Sequence, residues 1–181
     1  MRPPETFDTP RLRLRRPLVT DAEAIYEYGS DPEVARYADW PVRADIGPLV
    51  ESLKARAATW ETGDEYSWVV TVRPADRAVG GVTCRVAGHS AELGYLLHRE
   101  YWGWGYATEA AGAVVEWLSS RSSLYRIWAT CDAENAASAR VLEKLGFERE
   151  GVLRRYAVRP QLGPEPRDAL MYGIEVRKKT E

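Results

Sequence analysis

Ala91-Glu92-Leu93-Gly94-Tyr95-Leu96-Leu97, followed after His98-Arg99-Glu100 by Tyr101-Trp102-Gly103-Trp104-Gly105-Tyr106-Ala107-Thr108-Glu109-Ala110, is the stretch that decides the fold. It reads as an apolar strand, a tight glycine-bearing turn and the start of an Ala-rich amphipathic helix. Gly103 and Gly105 let the backbone approach a bound group closely, because no Cβ stands in the way. The helix aims its unpaired first-turn N–H groups, and the positive end of its dipole, at the same spot. Such an arrangement binds phosphate, although glycine also serves merely to pack a turn before a helix. Ala107, Ala110, Ala111, Val114, Val115 and Leu118 then recur at helical spacing and lay one apolar stripe against a sheet.

Working outward, Arg11-Leu12-Arg13-Leu14-Arg15 alternates as a half-buried strand does. Thr20-Asp21-Ala22-Glu23 has the pattern of a capping box opening a helix through about Gly29, which Asp31-Pro32 breaks. A second helix is expected from about Ile46 to Glu61, with Gly63-Asp64 ending it. Strands follow at Tyr66–Arg73, Ala78–Val86 and Ser90–Leu97, and after the Ala-rich helix at Arg126–Cys131. Asn135 caps a shorter helix that Gly146 stops. Phe147 to about Val158 and Asp168 to Val176 read as the last two strands, around a proline-rich 159–167 loop. The order is β-α-α-β-β-β-α-β-α-β-β, an α/β chain with a mixed sheet and helices on both faces.

The 181 residues suit one domain, 1–181, with a substantial core. A net charge of −2 gives no electrostatic reason to expect nucleic acid or a membrane surface as partner. No apolar run is long enough to span a bilayer, and Met1-Arg2-Pro3-Pro4-Glu5 leads into no hydrophobic segment, so a cytoplasmic protein is expected. Cys84 and Cys131 read as buried free thiols, and no His/Cys/Asp spacing suggests a metal. His89 and His98, flanking strand ends, are expected at the surface. Trp68, Trp117 and Trp128 are expected in the core.

Three segments together carry a family likeness. They are Glu92–Tyr95 running into Tyr101–Ala110, Asn135-Ala136-Ala137-Ser138-Ala139-Arg140-Val141-Leu142-Glu143-Lys144-Leu145-Gly146-Phe147, and Thr9-Pro10-Arg11-Leu12-Arg13-Leu14-Arg15. With them the sequence resembles the GNAT superfamily of acyl-CoA-dependent N-acyltransferases, and within it the RimJ/RimL-like ribosomal-protein N-terminal acetyltransferase branch. The likeness implies a central, mostly antiparallel twisted sheet of about seven strands. It implies acetyl-CoA as cosubstrate, no metal, and a primary amine as acceptor, either a peptide N-terminus or a small molecule. The oligomer is expected to be a monomer or homodimer. Two departures from the superfamily stand out. Glu100 occupies a place usually held by Gln or Arg, three residues before the first loop glycine, and Leu142 replaces a tyrosine that often protonates the leaving thiolate.

Acyl transfer to an amine needs a neutral nucleophile, a proton acceptor and help for the departing thiolate. Glu92 is the candidate base, since strand alternation puts it on one face with Gly94 and Leu96, just before the glycine turn. The same residue type also serves as a solvent-facing carboxylate paired with a neighbouring arginine. Ser138 is the candidate acid or thiol-binding hydroxyl, or else a helix cap. The likeness has Asn135 both capping its helix and bonding the amide-rich arm of coenzyme A. It places that arm along the backbone at Tyr95, Leu96 and Leu97, and the pyrophosphate at the amides of Gly103, Trp104, Gly105, Tyr106, Ala107 and Thr108. Tyr37 and Trp40, in the irregular Arg36–Pro41 segment, are placed at the acceptor cleft. The expected reaction is acetylation of an amine by direct attack in a ternary complex. The alternatives are transfer of another short acyl group such as succinyl, or a non-catalytic acyl-CoA-binding regulatory module.

Overall fold

The computed structural model of the chain describes residues 3–60 and 65–176. The expected end of the second helix at Glu61, with Gly63-Asp64, lies outside the described residues. Eight strands form one sheet in the order β1-β2-β3-β4-β5-β6-β8-β7. They are β1 (Thr6–Asp8), β2 (Leu12–Arg15), β3 (Glu65–Val72), β4 (Ala78–Ala87), β5 (Ser90–Leu97), β6 (Arg126–Asp132), β7 (Glu148–Val158) and β8 (Pro166–Glu175). Seven of these match the sequence expectation. The eighth, β1, is only three residues long, too short for alternation to mark it, and it pairs antiparallel with β2.

The helices are α1 (Ala22–Gly29), α2 (Pro32–Ala35), α3 (Gly47–Thr59), α4 (Tyr106–Ser119) and α5 (Ala136–Lys144). The capping expectation at Thr20 is corrected. Asp21 turns back instead, accepting from the Leu18 amide at 2.7 Å and from both terminal nitrogens of Arg15 at 2.8 and 2.7 Å, and α1 begins after it. Asp31-Pro32 does end α1, but it also starts α2, with the Asp31 carboxylate accepting from the Glu33 amide at 2.9 Å.

Burial explains the layering. The α4 stripe of Ala110, Ala111, Val114, Val115 and Leu118 packs on Leu12, Leu14, Val70, Val82, Leu93 and Ile127 from successive strands. On the other sheet face Ala24 of α1 meets Val69 and Ala78, and α3 packs on α1 through Leu49, Leu53 and Ala22. Trp68 is buried as expected, while Trp117 and Trp128 are only partly so.

The sheet has one parallel junction, and it is incomplete. β5 and β6 register only through Ser90↔Arg126, Ala91↔Ile127 and Glu92↔Trp128. Beyond that point β5 continues through Leu97 and β6 through Asp132 without pairing each other. β5 stays paired to β4 along its whole length, and β6 to β8 along its own. The sheet therefore opens in a wedge on the side where the glycine turn follows β5.

Candidate active site

The wedge has two walls and a floor. One wall is the unpaired edge of β5. His98 donates its amide to the Val79 carbonyl at 2.8 Å, which fixes the alternation of the β4–β5 ladder. Leu96 therefore turns its amide and carbonyl towards β4, where a Cβ on Gly80 would collide with that carbonyl. Tyr95 and Leu97 turn theirs the other way, towards the gap. Of the strand-end residues expected along the cofactor arm, Tyr95 and Leu97 turn their backbone groups to the gap and Leu96 does not. The Leu97 carbonyl already accepts from the Trp102 indole at 2.9 Å.

At the open end lies the glycine turn. Gly103 and Gly105 have φ of 81° and 78°, the left-handed region that glycine alone enters cheaply. Space is open around the Gly103 Cα, and Gly105 is the N-cap of α4 without offering any side chain to its amides. The first ladder bond is Glu109 N–H to the Gly105 carbonyl, so the amides of Tyr106, Ala107 and Thr108 precede it. Bare donors, a dipole end and no Cβ fit the phosphates of coenzyme A. Trp104 sits between the glycines and is 65% exposed.

The second wall is the β6–α5 turn. Asp132 is its post: the carboxylate is fully buried and accepts from Arg167 at 2.8 and 3.1 Å and from the Glu134 amide at 3.0 Å. Burial alone would raise the pKa of this group, yet the Arg167 hydrogen bonds hold it below the ordinary carboxylate value. Asn135 then caps α5 through its side-chain oxygen on the Ser138 amide at 3.1 Å. Asn135 thus holds the capping place, and the Ser138 hydroxyl is turned to Tyr95. The Tyr95 hydroxyl donates to the Ser138 carbonyl at 3.0 Å and stands 2.8 Å from Ser138 Oγ. Either hydroxyl can be the donor of the shorter contact, and when Tyr95 turns its one proton to Oγ the Ser138 proton is left free. Tyr95 and Ser138 so join strand and helix across the wedge. Burial raises the Tyr95 pKa, and Cys131 next to Ser138 is pushed up by burial to about 11. Cys84 and Cys131 are free and buried. Leu142 is wholly in the core.

Glu92 marks the floor, at the last paired position. Its cross-strand neighbour Arg85 is drawn off to Glu65 at 2.9 Å, and among the described residues no ion pair or hydrogen bond holds the Glu92 carboxyl. Burial pushes its pKa up, Arg85 pulls it down, and Asp39 and Glu65 add to the rise. The expectation of a simple Arg-paired surface carboxylate does not describe it.

Asp39 belongs to the segment bearing Tyr37 and Trp40. The Tyr37 hydroxyl reaches the Glu134 carbonyl at 3.5 Å, and Arg43 lies 5.0 Å over the Trp40 ring. Gln161 in the β7–β8 loop ties the segment down, donating to the Ala35 and Trp40 carbonyls at 2.9 Å each and accepting from the Val42 amide at 3.3 Å. Sequence reasoning did not single out Gln161. His98 corrects another expectation. It is largely buried, accepts from the Glu100 amide at 3.1 Å and packs edge-on against Tyr28 and Tyr101. Among the described residues no cluster of His, Cys, Asp and Glu could hold a metal ion, and no helix is long and apolar enough to cross a membrane.

A model of the acetyltransferase (GNAT) domain matches residues 11–148, which include both walls of the wedge. This chain belongs to the GNAT acetyltransferase family. It is therefore an acyltransferase, built on the acetyl-CoA-binding fold of that family. The N-acetyltransferase YoaA of Bacillus subtilis (strain 168), itself uncharacterised, is 32% identical over 171 residues, 93% of this chain and 95% of the relative. Among solved structures, a GNAT-family acetyltransferase from Bacillus anthracis superposes with a TM-score of 0.79 at 29% identity, covering 94% of this chain and 98% of the other. RimJ of Mycobacterium smegmatis, solved in complex with CoA-disulfide, gives 0.78 at 26% identity over 91% and 81% of the two chains. RimL/RimJ-type enzymes are thus among its structural neighbours.

Proposed function

We propose that the chain, working as one cytoplasmic domain, transfers an acetyl group from acetyl-CoA to a primary amine by direct attack, with both substrates bound together. The observation that carries this is the wedge between β5 and β6, bordered by an uncapped, glycine-started helix at one end and an unpaired carboxyl at the other. The amides of Gly103 to Thr108 hold the phosphates. The Tyr95 and Leu97 backbone groups and Asn135 hold the arm, and the bound thioester supplies an acyl group activated towards amines. Glu92 receives the proton of the attacking amine, directly or through a water. A carboxyl with a raised pKa is a better match to an amine, whose own value lies near ~8 for an α-amino group or ~10.4 for lysine. Ser138, held by Tyr95, offers its hydroxyl to the departing sulfur in place of the acid that Leu142 cannot be.

The acceptor is an amine presented between the Tyr37–Trp40 segment and the β7–β8 loop. The resemblance of Glu92–Ala110 and Asn135–Phe147 to the ribosomal-protein N-terminal acetyltransferase branch favours a peptide N-terminus over a small amine. The test is release of free CoA from acetyl-CoA and, separately, succinyl-CoA against a panel of amines that includes peptides with free N-termini. Turnover with acetyl-CoA and a free-N-terminus peptide, lost when that N-terminus is blocked, is the expected result. Release of CoA only with small amines would overturn the peptide assignment, and a preference for succinyl-CoA would overturn the acetyl one.

A further inference from the structure

The β1–β2 turn reaches across the sheet end and grips the glycine turn through residues that the reaction as described leaves unused. Glu109 stands in the first turn of α4. A free carboxylate there competes with any anion for the helix N-terminus and repels a phosphate. Both of its oxygens are occupied. Oε1 accepts from Thr9 Oγ1 at 2.6 Å and from the Arg11 amide at 2.9 Å, and Oε2 accepts from Arg11 Nε at 2.6 Å. Burial would raise the Glu109 pKa, but these bonds more than offset it and keep the group ionised and paired.

The same guanidinium touches the turn on both sides of Gly105. Nη1 donates to the Trp104 carbonyl at 2.9 Å, and the cation lies 4.6 Å over the Tyr106 ring. Arg11 Nη2 would stand 3.6 Å from a Cβ at Gly105. A carbonyl held from behind fixes the peptide plane that it belongs to, and with it the direction of the next amide, that of Gly105.

We propose that Arg11 is a positioning residue for the cofactor's phosphates. It sets the peptide planes of the Gly103–Gly105 turn and cancels the Glu109 charge, so that an anionic ligand meets oriented amides instead of a carboxylate. This rests on the acetyl-CoA reading above and extends it to the part of the cofactor that carries the charge. Glu100, where Gln or Arg is usual, supplies no cation of its own, and Arg11 brings a positive charge to this turn from the far end of the chain.

The test compares Arg11→Ala, Arg11→Lys, Glu109→Gln and Arg11→Ala/Glu109→Gln. Two readouts are needed: CoA affinity by titration calorimetry, and kcat and KM with acetyl-CoA and with S-acetylpantetheine, which lacks every phosphate. Arg11→Ala should weaken CoA binding about ten- to a hundredfold, the scale of lost charge-assisted hydrogen bonds. Its kcat at saturating acetyl-CoA should change little, and its kcat/KM with S-acetylpantetheine not at all. Arg11→Lys keeps the charge without the planar fork and should fall between, which guards against a simple folding loss. The double variant should bind CoA more tightly than Arg11→Ala, because no stranded carboxylate remains. Wild-type affinity in Arg11→Ala, or an equal loss with S-acetylpantetheine, would overturn the proposal while leaving the cofactor assignment intact. A wild-type protein that fails to bind CoA would overturn both.

Discussion

The two ends of the wedge are built in opposite ways. At the cofactor end everything follows in one run of chain: strand β5, a turn with two left-handed glycines and helix α4, held from outside by Arg11. At the acceptor end nothing is regular. The Tyr37–Trp40 segment and the β7–β8 loop have no ladder of their own, and Gln161 and the Tyr37 hydroxyl hold them by bonds to backbone carbonyls. Backbone amides recognise a constant chemical group and tolerate side-chain drift, whereas irregular loops let the acceptor pocket vary without disturbing the cofactor. Glu92 sits where the two meet.

The sharpest way to break this comparison is at that meeting point. Glu92→Gln should cut kcat by ~10²- to 10⁴-fold, the usual range for a positioned acid–base group. The loss should be greatest at low pH, where little amine is already neutral, and shrink towards the acceptor's own pKa. Stability moves the other way. Because the folded-state pKa is raised, ionising Glu92 as pH climbs through its unfolded and then its folded value works against the native state. Glu92→Gln should therefore melt no lower than wild type at neutral pH. A flat, few-fold rate change across pH would remove Glu92 from the mechanism.

Breaking the cofactor end alone comes next. Gly105→Val forces a β-branched residue to φ 78° and sets a side chain beside Arg11. CoA affinity should fall by at least about tenfold, and the rise in Tm on adding CoA, which follows ligand concentration over Kd, should collapse. Thermal-shift titration reads both, and a normal shift would mean that the phosphates bind elsewhere.

The smallest effect is expected at the acceptor end. Gln161→Ala removes three bonds that hold one loop to another, and should raise the acceptor KM by roughly three- to tenfold, the scale of a neutral hydrogen bond or two. Steady-state kinetics should show CoA affinity unchanged. A change in CoA affinity instead would mean that the two ends are mechanically coupled.

Legibility in the sequence tracks the same division. Glu92 to Leu118 can be read directly, because alternation, the glycine turn and the α4 stripe are local and contiguous. Asn135 as cap of α5 could be read for the same reason. The Tyr95–Ser138 bond joins residues 43 apart, Arg11 to Glu109 spans 98, and Gln161 to Trp40 spans 121. Periodicity carries no information on such distances; only the sheet order brings them together. β1 and α2 escaped for another reason, since three or four residues hold too little pattern to rise above a loop. His98 misled because its flanking position hides the two tyrosines that the fold packs on it.

The tryptophans have a consequence for how this molecule can be watched. Trp60, Trp68 and Trp117 interlock edge to face with Tyr66 and Phe7 beside β1, at the end of the sheet away from β6. Trp104 on the turn itself is largely in solvent, and Trp102 beside it is about half exposed. Indole emission shifts to longer wavelength with exposure to water, so five of the seven tryptophans fall into an enclosed set and an exposed set, with Trp40 and Trp128 between them. The blue set goes dark or shifts only when the sheet comes apart. The red set stands on the turn proposed to hold the phosphates and should report CoA binding while the fold stays whole.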